Sequence, residues 1–112
     1  MKNLTKIEET VMIAVWRLKD DAYGVTIRDQ IKEVTGRRLL YNTLYSTLDQ
    51  LARKGYLIKR YGKPTAIRGG KRKIFFDLTE SGLKSLYDAY KEKNTVWNGI
   101  TEESFYGNMI NE

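Results

Sequence analysis

Nine cations gathered in one short segment are the side chains of this sequence best suited to holding a charged partner. Residues 53–76 carry nine basic and no acidic side chains, whereas residues 1–52 carry eight basic and seven acidic ones. Residues 77–112 carry three basic and seven acidic ones. A segment with one sign of charge attracts polyanions such as the phosphates of a nucleic acid. An ordinary solvated surface can have the same composition. The neighbouring elements must therefore show whether this segment faces a nucleic acid.

A set of polar side chains lies just before this basic segment. Leu48 and Leu51 each fall within about 40° of Leu44 at the helical repeat, which predicts a third helix with a narrow apolar seam. The opposite face of that helix carries hydrogen-bonding groups on Asn42, Thr43, Ser46, Asp49, Gln50 and Arg53. Such groups can read the edges of bases, although any solvated helix can present a similar face.

Composition excludes several classes of site. The chain has no cysteine and no histidine, so it can form no disulfide, no thiolate metal site, no Ser-His triad and no Cys-His pair. Its carboxylates fall on predicted helix surfaces or in an acidic tail, and we therefore expect neither an enzyme nor a cofactor. Residues 2–18 alternate charge with apolar residues, unlike a signal peptide, and no apolar run approaches the roughly 20 residues of a bilayer span. We expect a cytoplasmic protein that makes no membrane contact.

The remaining pattern predicts the elements that position these groups. Thr5 and Glu8 form a capping box that starts a first helix, and Gly36 ends a second one. Alternating residues over 56–61 and 73–78 predict two antiparallel strands joined by a long basic loop. Thr79 is a plausible cap for a fourth helix.

The order of these elements predicts a mainly α (α+β) fold, a winged helix-turn-helix with a two-stranded β-hairpin as its wing and an additional C-terminal helix. At 112 residues the chain has room for one such domain. We expect the winged helix domain over residues 1–78, a dimerisation helix over residues 79–100 and an acidic, flexible tail over residues 101–112. In this fold the third helix enters the major groove, and the hairpin loop lies on the adjacent DNA backbone.

Several runs in the sequence resemble the PadR family of transcriptional regulators. They are Ala22-Tyr23-Gly24-Val25, Leu44-Tyr45-Ser46-Thr47-Leu48-Asp49-Gln50-Leu51, Lys54-Gly55-Tyr56-Leu57-Ile58, Gly62-Lys63-Pro64-Thr65, Arg68-Gly69-Gly70-Lys71-Arg72-Lys73 and Leu78-Thr79-Glu80-Ser81-Gly82. The resemblance covers roughly residues 4–93 and implies a homodimer, mostly a repressor, that binds duplex DNA with paired recognition helices and wings. Leu40 departs from the pattern, because the family often has Ser or Asn at this cap.

The predicted DNA-binding residues come from the third helix and the wing. Tyr45 matches the recognition-helix tyrosine of the family, and the resemblance implies that it contacts a phosphate. Gly69 and Gly70 would let the wing backbone approach the DNA closely. The full set is Tyr41, Asn42, Thr43, Tyr45, Ser46, Gln50, Lys63, Arg68, Gly69, Gly70, Lys71, Arg72 and Lys73. We expect the partner to be duplex DNA with a pseudo-palindromic operator.

An apolar and aromatic set on the first and last helices predicts a dimer interface or an effector pocket. Its members are Met12, Trp16, Leu83, Leu86, Tyr87, Tyr90 and Trp97. These side chains could pack across a two-fold axis or bind a small, flat aromatic effector that releases the protein from DNA. A different class of function also stays open, in which the winged helix binds another protein or bends DNA without sequence preference.

Overall fold

The computed structural model describes residues 3–62 and 72–110. Within these ranges the chain forms five α-helices, one 3-10 turn and one β-hairpin. In chain order they are α1 (Lys6–Leu18), the 3-10 turn (Lys19–Asp21), α2 (Gly24–Thr35), α3 (Tyr41–Arg53), β1 (Leu57–Tyr61), β2 (Ile74–Leu78), α4 (Glu80–Val96) and α5 (Glu102–Ile110). The predicted mainly α winged helix-turn-helix fold is confirmed.

The predicted helix ends of α1 and α2 are formed by the residues that the sequence singled out. Glu8 donates its backbone N–H to Oγ1 of Thr5 at 3.2 Å, and Thr5 donates its own N–H to Oε1 of Glu8 at 2.9 Å. This reciprocal pair satisfies donors that the first turn of α1 would leave free. Gly36 ends α2 with φ at 75°, a left-handed conformation that costs glycine little.

The two strands pair antiparallel, with Leu57 opposite Leu78 and Tyr61 opposite Ile74. A short bridge extends the sheet, because the N–H of Phe76 donates to the carbonyl of Ala22 at 2.8 Å. The hairpin is thereby attached to the segment between α1 and α2, and its base has a fixed place beside the helices.

The core lies where α1, α2, α3, β2 and α4 meet, since α1 contacts all four of the other elements. Fully buried aliphatic side chains from three helices fill it, and burying each one stabilises the fold by about 2 kcal/mol. The largest of them are Met12, Ile27, Leu44, Leu48, Leu51, Val11 and Val15.

Two residues of the predicted dimer or effector set belong to this core. Met12 is completely buried, and Leu86 is 6% exposed. Met12 and Trp16 lie one turn apart on α1, but the surrounding elements bury Met12 completely and leave Trp16 52% exposed. The Met12 side chain is therefore inaccessible to a second copy or to an effector.

The C-terminal end contains an element that the sequence did not predict. The sequence predicted a flexible tail over residues 101–112, whereas Glu102–Ile110 forms α5. Ser104 supplies the reason, because its Oγ accepts the N–H of Thr101 at 3.1 Å and starts the helix. The ring of Phe105 then packs against Trp97, with the ring centroids 5.9 Å apart. Thr101 and Ser104 have the spacing of a helix start, a signal present in the sequence.

Candidate nucleic-acid interface

Helix α3 divides into a buried face and an exposed face. Leu44, Thr47, Leu48 and Leu51 are buried, and the Thr47 hydroxyl donates to the carbonyl of Thr43 at 2.8 Å. The predicted contact residues of this helix all lie together on the exposed side: Tyr41, Asn42, Thr43, Tyr45, Ser46 and Gln50. Short hydrogen-bonding side chains on a helix fixed by a leucine seam can enter a groove without moving the core.

Tyr45 lies directly over the start of α2. A Cβ atom built at Gly24 would overlap the hydroxyl of Tyr45, so only glycine allows this approach. The ring is 46% exposed and stacks on Tyr41, with centroids 6.0 Å apart and planes 20° apart. The hydroxyl therefore lies against Gly24, the first residue of α2.

Arg28, which the sequence pattern did not single out, extends this stack. Its Cζ atom lies 4.2 Å from the ring centroid of Tyr41, and its Nε donates to the carbonyl of Leu39 at 2.7 Å. No signal along α2 distinguished Arg28 from a solvated cation, because Tyr41 and Leu39 come to it from the next helix and its preceding loop.

The base of the wing is an aromatic and cationic cluster. Lys73 lies with its Nζ 4.4 Å from the ring centroid of Tyr23, and Tyr23 meets Phe75 edge to face at 5.4 Å. On the ring of Phe75, the Cζ of Arg60 lies 4.8 Å from the centroid. These contacts hold Lys73 and its exposed neighbour Arg72 at the point where the chain returns from the wing.

Three cations of the basic segment are ion-paired within the fold. Lys54 pairs with Glu8 at 2.6 Å, Lys59 with Asp49 at 3.0 Å and Arg60 with Asp77 at 3.0 Å. The hydrogen bond from Arg60 to Asp77 raises the pKa of the guanidinium. These six residues attach the hairpin and the end of α3 to their neighbours, so three of the nine positive charges are already offset.

The pKa of Glu8 results from opposing effects. Burial acts to raise it, but the hydrogen bonds from Lys54 and Thr5 and the Lys54 charge together lower it below its ordinary value. The carboxylate therefore stays ionised beside Lys54.

Free cations remain beside these pairs. Among the described residues, Arg53 and Arg72 are exposed and make no ion pair. The predicted contact residues Lys63, Arg68, Gly69, Gly70 and Lys71 lie outside the described residues. The structure thus places Tyr45 of the α3 face on Gly24 and Lys73 on the ring of the adjacent Tyr23.

An apolar groove runs along α1 and α4. Ile13 and Trp16 from α1 and Leu83, Leu86, Tyr87 and Tyr90 from α4 line it. Trp16 is 52% exposed and Tyr90 is 61% exposed, which is unusual for such large rings. Trp97 lies further along the chain against Phe105, beside a second groove between α1 and α4. The first, apolar groove brings together five residues of the predicted dimer or effector set: Trp16, Leu83, Leu86, Tyr87 and Tyr90.

The described residues offer neither a metal site nor a membrane span. Over residues 3–62 and 72–110, no three acidic side chains come together in a way that could hold a metal ion. None of the helices in these ranges has the length and apolar composition needed to cross a bilayer.

Comparison with known proteins identifies relatives of this arrangement. The family model of the transcriptional regulator PadR-like family matches residues 13–88. A PadR-like transcription factor from Bacteroides fragilis has a similar structure, with a TM-score of 0.67 at 26% identity over 85% of this chain and 89% of that one. RosR from H. salinarum gives a TM-score of 0.68 at 18% identity over 97% and 91%. A PadR family regulator from Eggerthella lenta gives 0.65 at 22% over 80% and 76%. No curated protein matches the sequence.

Proposed function

Because this chain belongs to the PadR-like family of transcriptional regulators, we propose that it binds duplex DNA sequence-specifically and regulates transcription from the bound site. One observation carries the proposal: α3 is anchored by a buried leucine seam and exposes a continuous polar and aromatic face. A helix of this kind fits the major groove, whose base edges differ in their donors and acceptors.

The proposed contacts divide into two groups. Asn42, Ser46 and Gln50 carry the groups for base edges, and Thr43 and Tyr41 flank them on the same exposed face. Tyr45 contacts a phosphate, as the family resemblance implies, and its place over Gly24 at the start of α2 supports that role.

The wing supplies the sequence-independent part of the affinity. Arg72 is exposed, and Lys73 is held on Tyr23 with its ammonium group at the wing base. We propose that both contact the DNA backbone together with Lys63, Arg68, Lys71 and the glycines Gly69 and Gly70, which lie outside the described residues. Each neutralised phosphate releases counterions, so affinity should fall steeply with salt.

The groove along α1 and α4 supports a homodimer. Trp16, Tyr87 and Tyr90 each expose about half of a large ring or more, and apolar patches of this kind mark interaction surfaces. We propose that this surface, with Leu83, the small exposed edge of Leu86 and Trp97, packs on a second copy and places two α3 helices about one DNA turn apart. The matching operator is pseudo-palindromic, with half-sites about 34 Å apart.

Two finer parts of the function rest on the family resemblance. We propose that the protein represses its target promoter, and that a flat aromatic effector binding among Trp16, Tyr87 and Tyr90 would release it by changing the spacing of the α3 helices. A promoter-reporter assay with and without the protein tests the first part. Loss of operator binding on addition of an aromatic ligand tests the second.

The central test is selection from a random duplex library at physiological salt. The enriched site is then compared with bulk duplex and with single strand by fluorescence anisotropy. We expect a two-fold symmetric site bound roughly a thousandfold more tightly than bulk duplex. Equal, weak and salt-dependent binding to every duplex would contradict sequence-specific recognition and favour the second class, a protein-interaction or architectural module.

A further inference from the structure

Helix α3 begins without the usual side-chain cap. Leu40 occupies the cap position, and its side chain accepts no hydrogen bond from the first turn. The backbone still enters the helix regularly, because the N–H of Leu44 donates to the carbonyl of Leu40 at 3.0 Å. Without a polar cap, the entry of the chain into α3 needs another constraint.

Arg28 supplies that constraint from the neighbouring helix. Its half-buried guanidinium donates from Nε to the carbonyl of Leu39, the residue just before the cap, at 2.7 Å. The same planar group lies over the ring of Tyr41, the first residue of α3, at 4.2 Å. One side chain therefore holds both sides of the helix start.

The constraint continues from Tyr41 to Tyr45. The two rings stack with their planes 20° apart, and the tip of Tyr45 rests over Gly24 of the helix that also carries Arg28. Arg28, Tyr41 and Tyr45 thus form a column, bounded at both ends by α2, along the exposed end of α3. A column of this kind fixes the rotamers of rings that would otherwise move freely at a surface.

We propose that Arg28 is a positioning residue for DNA recognition: through Leu39 and Tyr41 it sets the first turn of α3 and the ring of Tyr45 in the orientation that meets DNA. This inference rests on the proposed function. It differs from a phosphate contact because the guanidinium acts through its planar shape and its directed N–H group, which a lysine ammonium at the same place lacks.

The substitutions Arg28→Lys and Arg28→Met separate positioning from charge. Each variant is titrated with the selected operator and with bulk duplex at two salt concentrations, well below its melting temperature. We expect both variants to lose about tenfold in affinity for the operator, with little change for bulk duplex. Lys32→Met is the matched control, because Lys32 is an exposed cation one turn further along α2, whereas the described hydrogen bond to Leu39 and the ring contact to Tyr41 both come from Arg28.

The role of the ring is tested at Tyr41. Tyr41→Leu removes the ring on which Arg28 and Tyr45 pack, and it should lower the ratio of operator to bulk affinity as Arg28→Met does. The double variant Arg28→Met with Tyr41→Leu should be no worse than either single one, because both remove the same column. Additive losses would overturn the proposal, and so would full operator affinity in Arg28→Lys.

A phosphate contact at Arg28 predicts a different result. Arg28→Met would then weaken operator and bulk duplex by the same factor and lower the salt dependence by about one unit, while Arg28→Lys would keep most of the affinity. That outcome would replace positioning by direct contact.

Backbone hydrogen exchange without DNA keeps the inference separate from the proposed function. We expect Arg28→Met to speed exchange at the amides of Leu44 and Tyr45, and to leave the amide of Gly82 in the first turn of α4 unchanged. Unchanged exchange at α3 would overturn the positioning role whatever the DNA result. If Arg28→Met exchanges faster but the wild type selects no duplex, the structural contact of Arg28 is supported and the proposed function is refuted.

Discussion

The Nζ atom of Lys54 lies 2.6 Å from Oε2 of Glu8, and this ion pair joins the end of α3 to the start of α1. Oε1 of the same carboxylate accepts the backbone N–H of Thr5, so both oxygens have partners although the side chain is only 3% exposed. The pair links the helix proposed to read DNA with the helix that carries Trp16 of the proposed dimer surface. Loss of either partner would leave a charge in a poorly solvated position.

We expect Glu8→Gln to destabilise the protein by about 2 kcal/mol at neutral pH, since it leaves Lys54 without its counter-charge. The pKa of Glu8 is lowered in the fold. Its contribution to the free energy of unfolding is therefore present above the ordinary pKa of 4.5 and is lost as pH falls through the folded pKa. The difference between wild type and variant, measured by urea denaturation across pH, should therefore shrink in acid.

Glu33→Gln is the control for this experiment, because Glu33 is exposed and makes no ion pair with any described residue. Its free energy of unfolding should follow wild type at every pH. A difference between wild type and Glu8→Gln that stays constant down to strong acid would contradict the role given to the ionised carboxylate.

Gly24→Ala should affect DNA binding more than stability. The added Cβ would overlap the Tyr45 hydroxyl, so the ring must turn away from its stack on Tyr41, at about 1 kcal/mol because the ring is 46% exposed. Its displacement removes the proposed phosphate contact and weakens operator binding, measured by anisotropy. Gly107→Ala is the control, since a Cβ there would meet no atom of the described residues within 4 Å apart from its chain neighbours and its own helix backbone. Wild-type operator affinity in Gly24→Ala would show that the Tyr45 position is unimportant.

Arg72→Ala and Ser46→Ala should separate backbone contact from base reading. Arg72 is an exposed cation at the wing base, so its loss should weaken binding to every duplex and reduce the salt dependence by about one unit. Ser46→Ala, or Gln50→Ala beside it, should instead change the preference among sequences by about tenfold at one base pair. If Ser46→Ala and Gln50→Ala weakened all duplexes equally, the base-reading assignment would be withdrawn.

Trp16→Ala and Trp97→Ala should each raise the dimer dissociation constant by about tenfold or more, because large rings dominate the energy of such surfaces. Sedimentation equilibrium over a concentration series measures this shift. Val34→Ala is the control, since Val34 is 59% exposed but lies on α2, away from the α1 and α4 groove. An unchanged association constant in Trp16→Ala would remove the groove from the proposed interface.

Local patterns predicted most of the fold because their causes are local. The capping box of Thr5 and Glu8, the left-handed stop at Gly36 and the cap at Thr79 each involve residues within one helical turn. The leucine seam predicted the buried face of α3 by periodicity alone. The start of α5 after Thr101 was missed because the N–H of Thr101 donates to Ser104, at a position where a capping box usually has Glu or Gln.

The candidate site was predicted only in part. The exposed residues of α3 follow from its periodicity, but Arg28 could not be found that way, since its partners Leu39 and Tyr41 lie 11 and 13 positions away in sequence. The burial of Met12 could not be predicted from the sequence either, because it results from elements that pack on several sides of α1. The pairing of Lys54, Lys59 and Arg60 with acids also depends on how the elements pack.

By itself the sequence determined the order of helices and strands from α1 to α4, the polar face of α3 and the concentration of positive charge, because these depend on residue type and on spacing along the chain. Only the tertiary structure decided which cations stay free, which rings stay exposed on α1 and α4, and how Arg28 and Gly24 hold the start of α3 from outside it. The physical reason is that charge pairing, burial and close approach are set by distances between segments, and those distances exist only after the helices have packed.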